Sequence, residues 1–474
     1  MSSPAAAEAI RVGEQARKEP TQGELRRSVF NLVWPATVES VLQMGVGLVN
    51  TAMVGHLSAL AIGTVGLCSR ATMVGFALFQ GIGTGATVLI AQSIGSGDRD
   101  RARTVAVQGL FFAAASVMIL GAAFSTWAVP IFRIFRPAPD LLAASAMYLR
   151  IIVLGMPAQG IMMSAGAAMR GSGDTRTPMM VAVSVNLINI AGNYSLIYGH
   201  LGFPALGIRG AATATVTAQW IGAVLALAAL TSRHSKLGLT WRGPWRLDRA
   251  QLGKMLGIGM PASGEWMFWQ SAHIILTLFI TGFGTTTLAS HQLGMQAESV
   301  SYMPTAGLSI AATTLVGQAI GAGNPRLAQR SARELITIAT AITAVTGGML
   351  FLAPRQILTA LTNDAGVIAL GAVYLRLMAT AQIPQQLTGV LSGVLRGNGD
   401  TKTPMIVAAV GQWGIRLPLA YILAFPLKMG IMGVWLGMTV DLFARFALIF
   451  FRYKRISWAK EPVVGVGKWA STAG

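Results

Sequence analysis

The sequence predicts an all-α integral membrane protein of twelve transmembrane helices, built as two six-helix repeats with parallel pseudo-two-fold symmetry. Three observations predict it: a composition too apolar for a soluble surface, stretches of spanning length along nearly the whole chain, and one offset at which the chain matches itself.

Of the 474 residues 53% are hydrophobic and only 11% charged, too few polar residues to cover a water-facing surface. A span needs about 20 apolar residues. Such stretches run over 29 to 54, 60 to 93, 105 to 130, 142 to 169, 178 to 199 and 207 to 231. They resume over 255 to 280, 287 to 320, 335 to 353, 367 to 395, 404 to 425 and 430 to 451. The segments between them are short and rich in Gly, Pro and Arg.

The formal charge of +19 invites a nucleic-acid reading, but the basic residues alternate by loop. With both termini cytoplasmic, the tails and loops of that side hold 26 of the 36 Lys and Arg, and the outer loops hold only Arg133, Arg136, Arg355 and Lys428. This is the bias that orients helices in a plasma membrane, or the inner membrane of a Gram-negative cell, and it accounts for the charge without nucleic acid. Residues 1–28 alternate acid and base without the apolar core of a signal peptide and read as a solvated tail. Cys68 is the single cysteine, so neither an intrachain disulfide nor a thiolate metal site is expected.

The internal offset is 226. Arg170 to Met179 reads RGSGDTRTPM and Arg396 to Met405 reads RGNGDTKTPM, identical at eight of ten positions. The same offset relates Tyr148-Leu149-Arg150 to Tyr374-Leu375-Arg376, and Gln92, Gly95 and Gly97 to Gln318, Gly321 and Gly323. It also relates Pro35-Ala36 and Glu39 to Pro261-Ala262 and Glu265. A whole bundle is therefore duplicated, and six spans per copy place both copies in the membrane with the same orientation. The expected organisation is an N-lobe over 29–231, a basic connector over 232–254, a C-lobe over 255–451 and a tail over 452–474. Trp241 and Trp245 suit a connector lying at the membrane interface.

Duplicated bundles let transporters alternate access to a site held between two lobes. A membrane-embedded enzyme or scaffold is the rival class, but no HExxH, magnesium-type Asp pair or Ser/His/Asp cluster is found, and only five His occur. One duplicated chain already holds both lobes, so a functional monomer is expected.

The repeated Arg-Gly-x-Gly-Asp-Thr-x-Thr-Pro-Met segment resembles the multidrug and toxic compound extrusion (MATE) family. So does the eighth span, from Ser290-His291-Gln292 through Pro304 to Val316-Gly317-Gln318-Ala319-Ile320-Gly321-Ala322-Gly323. The likeness runs from about Ser28 to Phe451. It implies an exporter of organic, cationic or aromatic molecules driven by an inward flow of protons or sodium, without a further cofactor. A flippase of lipid-linked substrates is the related alternative. The turn chemistry of the segment itself, with Gly at positive φ and Asp and Thr at the next helix start, reads as structural.

Four carboxylates fall inside spans, Glu39, Glu265, Glu298 and Asp441, and ionisable groups at that depth are functional candidates. Asp441 precedes Arg445 by one helical turn, which suggests an ion pair, and Glu298 has Tyr302 at the same spacing. Glu39 is expected near the midplane, on a stripe with Gln43, Gly47 and Asn50. Asn186, Asn189 and Asn193 form a second stripe, and the two suggest a hydrated cavity or an interhelical network. In the C-lobe Glu265, Trp269, Gln270 and His273 gather on the seventh span with Trp266, and Gln382, Gln385 and Gln386 on the tenth, a setting where aromatic faces can hold organic cations.

The resemblance implies coupling residues near Asn50, Asn189 and Asn193, and acidic positions near Gln270 and Gln385. Those two are neutral here, so candidacy passes to Glu39 and Glu265, and protons are favoured over sodium. Of the two, Glu39 is expected to couple flux and Glu265 to attract cationic substrates.

Overall fold

The computed structural model describes residues 21–55, 57–133, 137–233, 235–239 and 248–458. Trp241, Trp245, residues 1–20 and residues 459–474 lie outside them, and with them the expectations for the connector tryptophans and most of both tails.

The first half consists of α1 (Gln22–Gly55), α2 (Ala59–Gly95), α3 (Arg99–Arg133), α4 (Pro139–Val153), α5 (Met156–Gly171), α6 (Arg176–Tyr198) and α7 (Ile208–Thr231). The second consists of α8 (Arg249–Thr281), α9 (Thr285–Gly321), α10 (Pro325–Leu352), the short α11 (Pro354–Thr359) and α12 (Ala365–Gly397). It ends with α13 (Lys402–Ala409), a π-helical turn over Val410–Arg416, α14 (Leu417–Ala424) and α15 (Ile431–Lys454). No strand is present among the described residues.

Among the described residues nine helical segments are long and apolar enough to cross a membrane, with α13, the π-helical turn and α14 counting as one, and the bent pair α4–α5 makes a tenth, broken by 47°. The remaining long helices, α8 and α9, have 33 and 37 residues. Both turn polar side chains inward, among them Ser263, Ser290, His291 and Glu298, which a bilayer-facing helix could not afford. These make up the twelve expected spans. The break in the fourth falls at Leu154–Gly155, just before Pro157, where the missing N–H interrupts the helical ladder.

Helix starts follow side-chain capping. Ser58 Oγ accepts from Ala61 N at 3.1 Å, Asn324 Oδ1 from Leu327 N at 2.9 Å and Asp364 Oδ1 from Val367 N at 3.0 Å. The two RGxGDTxTPM segments are tight turns, as expected, with Gly173 and Gly399 at φ +83° and +87°. Asp174 and Asp400 each accept from the backbone N–H and hydroxyl of the Thr three residues on. Lys236 of the connector donates to Gly173 O at 2.8 Å, which docks that linker on the N-lobe turn.

Both turns lie at one end of the bundle, the turn end, and there the lobes meet. Gln318 Nε2 donates to Gly171 O at 3.2 Å, and Gln92 Nε2 donates to Gly397 O at 3.0 Å. The offset of 226 relates each member of one bond to its counterpart in the other. Thr314 Oγ1 adds a bond to Arg170 O at 3.1 Å, and Arg26 pairs with Glu334 across the lobes. Gly95 and Gly321 allow this approach: a Cβ on Gly321 would lie 2.7 Å from Gln92 C, and one on Gly95 2.8 Å from Gln318 C. Further along, Gly81 and Gly85 of α2 pack against Gly259, Ser263 and Met255 of α8. Val29, Leu32 and Val33 of α1 join the core of the C-lobe around Leu308 and Val316, so α1 straddles the interface.

Candidate functional site

Three of the four carboxyls inside the bundle are paired with arginine. Arg170 Nη1 donates to Glu39 Oε1 at 3.2 Å, and Arg396 Nη2 to Glu265 Oε2 at 2.6 Å, two pairs related by the internal repeat. Arg170 and Arg396 are the first residues of the repeated turn segments, which therefore do more than turn the chain. Asn31 is level with that turn, through bonds from Thr175 and Arg176. Glu39 lies eight residues beyond Asn31, about 12 Å into the bundle at 1.5 Å per residue. Asp441, fully buried, takes the expected bond from Arg445 at 3.0 Å and a second from Arg416 at 2.8 Å. Arg416 closes the π-helical turn, and Gly411 in that turn leaves the room that Asp441 and Arg445 fill.

Glu298 differs. It is buried on α9, and its partners are uncharged: Tyr374 Oη donates to Oε2 at 2.8 Å and Gln382 Nε2 to Oε1 at 2.9 Å. These come from α12, whereas Tyr302, the neighbour that helical spacing suggested, is half exposed. Gln386 continues the chain to Gln382 Oε1 at 3.1 Å, and Gln382 Nε2 reaches Gln385 Oε1 at 3.5 Å. The His291 ring stands edge-on to Tyr374 at 5.3 Å, and Trp435 meets Tyr374 from another side at 5.3 Å.

In the N-lobe the two asparagine stripes meet. Asn193 Nδ2 donates to Asn50 Oδ1 at 2.8 Å and contacts Asn189 Oδ1 at 3.3 Å, while Asn189 Nδ2 donates to Thr215 Oγ1 at 3.3 Å. Asn189 and Asn193 are buried, Asn186 and Asn50 partly so, and Gln43 and Gly47 are exposed on the same stripe of α1. This is an interhelical amide network with an open end at Gln43.

On α8, Trp269 stacks on His273 at 5.5 Å and meets Trp266 edge-on at 5.6 Å. Phe76 of α2 touches Trp266 at 5.4 Å across the lobes. Gln270 is half-buried on the same helix, and Gln385 half-buried on α12. The structure thus gathers Glu298, Gln382, Gln385 and Gln386 in one cluster, Asn50, Asn189 and Asn193 in another, and Trp269 with His273 in a third. Glu39 and Glu265 are held by their arginines and share no hydrogen bond with these clusters among the described residues, although Glu265 lies one turn before Trp269 on α8. Tyr374, Arg170 and Arg396 were not among the expected site residues, although all three lie in segments the repeat makes visible.

The MatE family profile matches residues 35–195 and 261–422, one block in each lobe. The chain belongs to the MatE family. It is 31% identical over 445 residues to a probable multidrug resistance protein NorM of Thermotoga maritima, covering 93% of this chain and 95% of the relative. It is 29% identical over 437 residues to the multidrug resistance protein PmpM of Pseudomonas aeruginosa, covering 90% and 91%. A crystal structure of MATE in the bent conformation superposes with a TM-score of 0.85 at 22% identity, covering 92% of this chain and 97% of that one. An outward-facing multidrug resistance MATE transporter superposes at 0.82 and 22% identity, covering 92% and 98%. These structures share the fold. As a MatE member the chain is a multi-pass membrane transporter and not an enzyme. Its two profile blocks coincide with the two copies that the offset of 226 separates.

Proposed function

We propose that this MatE chain exports organic, aromatic compounds from the cytoplasm in exchange for protons, and that Glu298 carries the coupling proton. The observation that supports this is its set of partners. Protonating Glu39, Glu265 or Asp441 would leave a buried or half-buried arginine without its counter-charge, a loss of about 3–5 kcal/mol for a buried pair. Protonating Glu298 strands no charge. The Tyr374 hydroxyl can turn from donor to acceptor, so either state of the carboxyl finds a hydrogen bond. The multidrug resistance relatives support the export of small organic molecules, and the aromatic group around Trp269 supplies faces for them.

A second reading keeps Glu39 as the coupling group, and one observation favours it. Its Oε2 is buried with no partner among the described residues, so that oxygen could take a proton while Oε1 keeps Arg170. In either reading the turn end is cytoplasmic, because the basic loops gather there, and both termini lie on that side.

Flux into proteoliposomes separates the readings. With a membrane-impermeant fluorescent aromatic compound and an imposed pH gradient, Glu298→Gln abolishes driven transport and Glu39→Gln retains it. The reverse pattern moves the proton to Glu39. Transport driven by a sodium gradient without a pH gradient contradicts proton coupling in both.

A further inference from the structure

Arg70 has no role in any of these clusters. It is exposed, and it forms no ion pair among the described residues. It sits eleven residues into α2, about 16 Å from the end of the helix opposite the turns.

Helical geometry fixes what it faces. Gly81, which packs on Gly259 and Ser263 of α8, is eleven residues from Arg70, and eleven steps of 100° return to within about 20° of the same direction. The face of α2 that binds the C-lobe near the turn end is therefore the face that carries Arg70 further out. There the helices part, and Arg70, Gly66 and Ile62 are exposed in steps of four. The last contact between the two helices' rings is Phe76 with Trp266.

On α8, eleven residues beyond Gly259 comes Gln270, and ten beyond Ser263 comes His273. By helical rise Arg70 is thus level with Gln270 and His273 of α8, a turn or more beyond Trp266, and Trp269 on that stretch is 40% exposed. Arg70 thus brings a positive charge to this cleft. Of the four carboxyls inside the bundle, only Glu298 has no arginine, and it is bonded to Tyr374 and Gln382 of α12. Glu265 is paired with Arg396, and Asp441 is shared between Arg416 and Arg445.

We propose that the outer cleft between the lobes binds aromatic compounds carrying an anionic group, a carboxylate above all, with Arg70 as its counter-charge and the Trp266, Trp269 and His273 rings against its aromatic body. A guanidinium presents parallel N–H groups that match a carboxylate, and aromatic faces accept a flat ring system without fixing its identity. This departs from the expectation that Glu265 attracts cationic substrates, because Glu265 is already neutralised by Arg396. The proposal rests on the reading of the chain as an exporter of aromatic compounds and is independent of which carboxyl carries the proton.

Three naphthalene probes test it by equilibrium dialysis against the full-length protein in nanodiscs: 2-naphthoate, its neutral isostere 2-naphthamide and the cationic 2-naphthyltrimethylammonium. The wild type binds naphthoate at least about tenfold tighter than the other two, a difference of about 1.4 kcal/mol. Arg70→Gln removes that preference and leaves naphthamide binding unchanged, and Arg70→Lys keeps part of it. The proposal is overturned if the cation binds as tightly as naphthoate, if Arg70→Gln weakens all three probes alike, or if none binds. Failure of proton coupling registers elsewhere, in gradient-driven flux by Glu298→Gln, and leaves the probe ranking intact.

Discussion

Gly321→Ala should loosen the contact between the lobes without unfolding either. The added Cβ would lie 2.7 Å from Gln92 C and 2.8 Å from Gln92 Cα, both backbone atoms of the other lobe that cannot rotate away. Restoring an ordinary contact of 3.4 Å from 2.7 Å needs a separation of about 0.7 Å, and the nearer Gln92 carbonyl oxygen demands more. Such overpacking costs about 1–3 kcal/mol. It falls on the closed turn end alone, because the lobes no longer touch there once they part. The ratio of turn-end-closed to turn-end-open molecules should therefore drop by about 5- to 150-fold. The movement would also stretch the bond from Gln92 to Gly397 O and its counterpart from Gln318 to Gly171 O. Electron-electron resonance between spin labels at Asp100 and Arg326, exposed and related by the repeat, reads the turn-end separation directly. A longer-distance population should appear or grow in Gly321→Ala, with the same effect for Gly95→Ala. An unchanged distance distribution in a folded variant would refute the idea that these glycines set the closure.

Asp441→Asn leaves Arg416 and Arg445 without a carboxylate in the C-lobe interior and should lower stability by about 3–5 kcal/mol; an unchanged melting temperature in nanodiscs would mean the pair is not desolvated. Asn193→Ala removes the bonds to Asn50 and Asn189 and should cost about 1–2 kcal/mol with no change in the pH dependence of transport. A shifted pH profile in that variant would give the N-lobe network a part in proton movement. Arg70→Gln should equalise binding of 2-naphthoate and 2-naphthamide, as measured by equilibrium dialysis.

Much of the fold was legible because it rests on two long-range regularities, spanning length and the offset of 226, which survive uncertainty about any single residue. Neither predicts how far a helix runs past the bilayer: α1 begins at Gln22, seven residues before the apolar stretch, where Thr21 and Glu24 cap it reciprocally and Arg26 finds Glu334 of the other lobe. The asparagine stripes were legible from helical periodicity, and the structure joins them. The carboxyls were found as residues, but their partners were not, since partners come from other helices. The distance between Glu39 and Arg170 is 131 residues, as is that between Glu265 and Arg396, so the repeat held a clue that pairing alone would have read. Arg416 reaches Asp441 only because a π-helical turn rotates it inward, and no periodicity announces such a turn. On its own helix Glu298 has only Tyr302 at helical spacing, and the partners that mark it, Tyr374 and Gln382, lie on α12.

If substrate and proton exchange through Glu298, proton release on ligand binding measures that exchange most directly. Purified protein in weakly buffered solution with a pH-sensitive dye, titrated with an aromatic ligand, should release protons in the wild type and in Glu39→Gln, and release none in Glu298→Gln. Undiminished release from a folded, ligand-binding Glu298→Gln variant would contradict the claim.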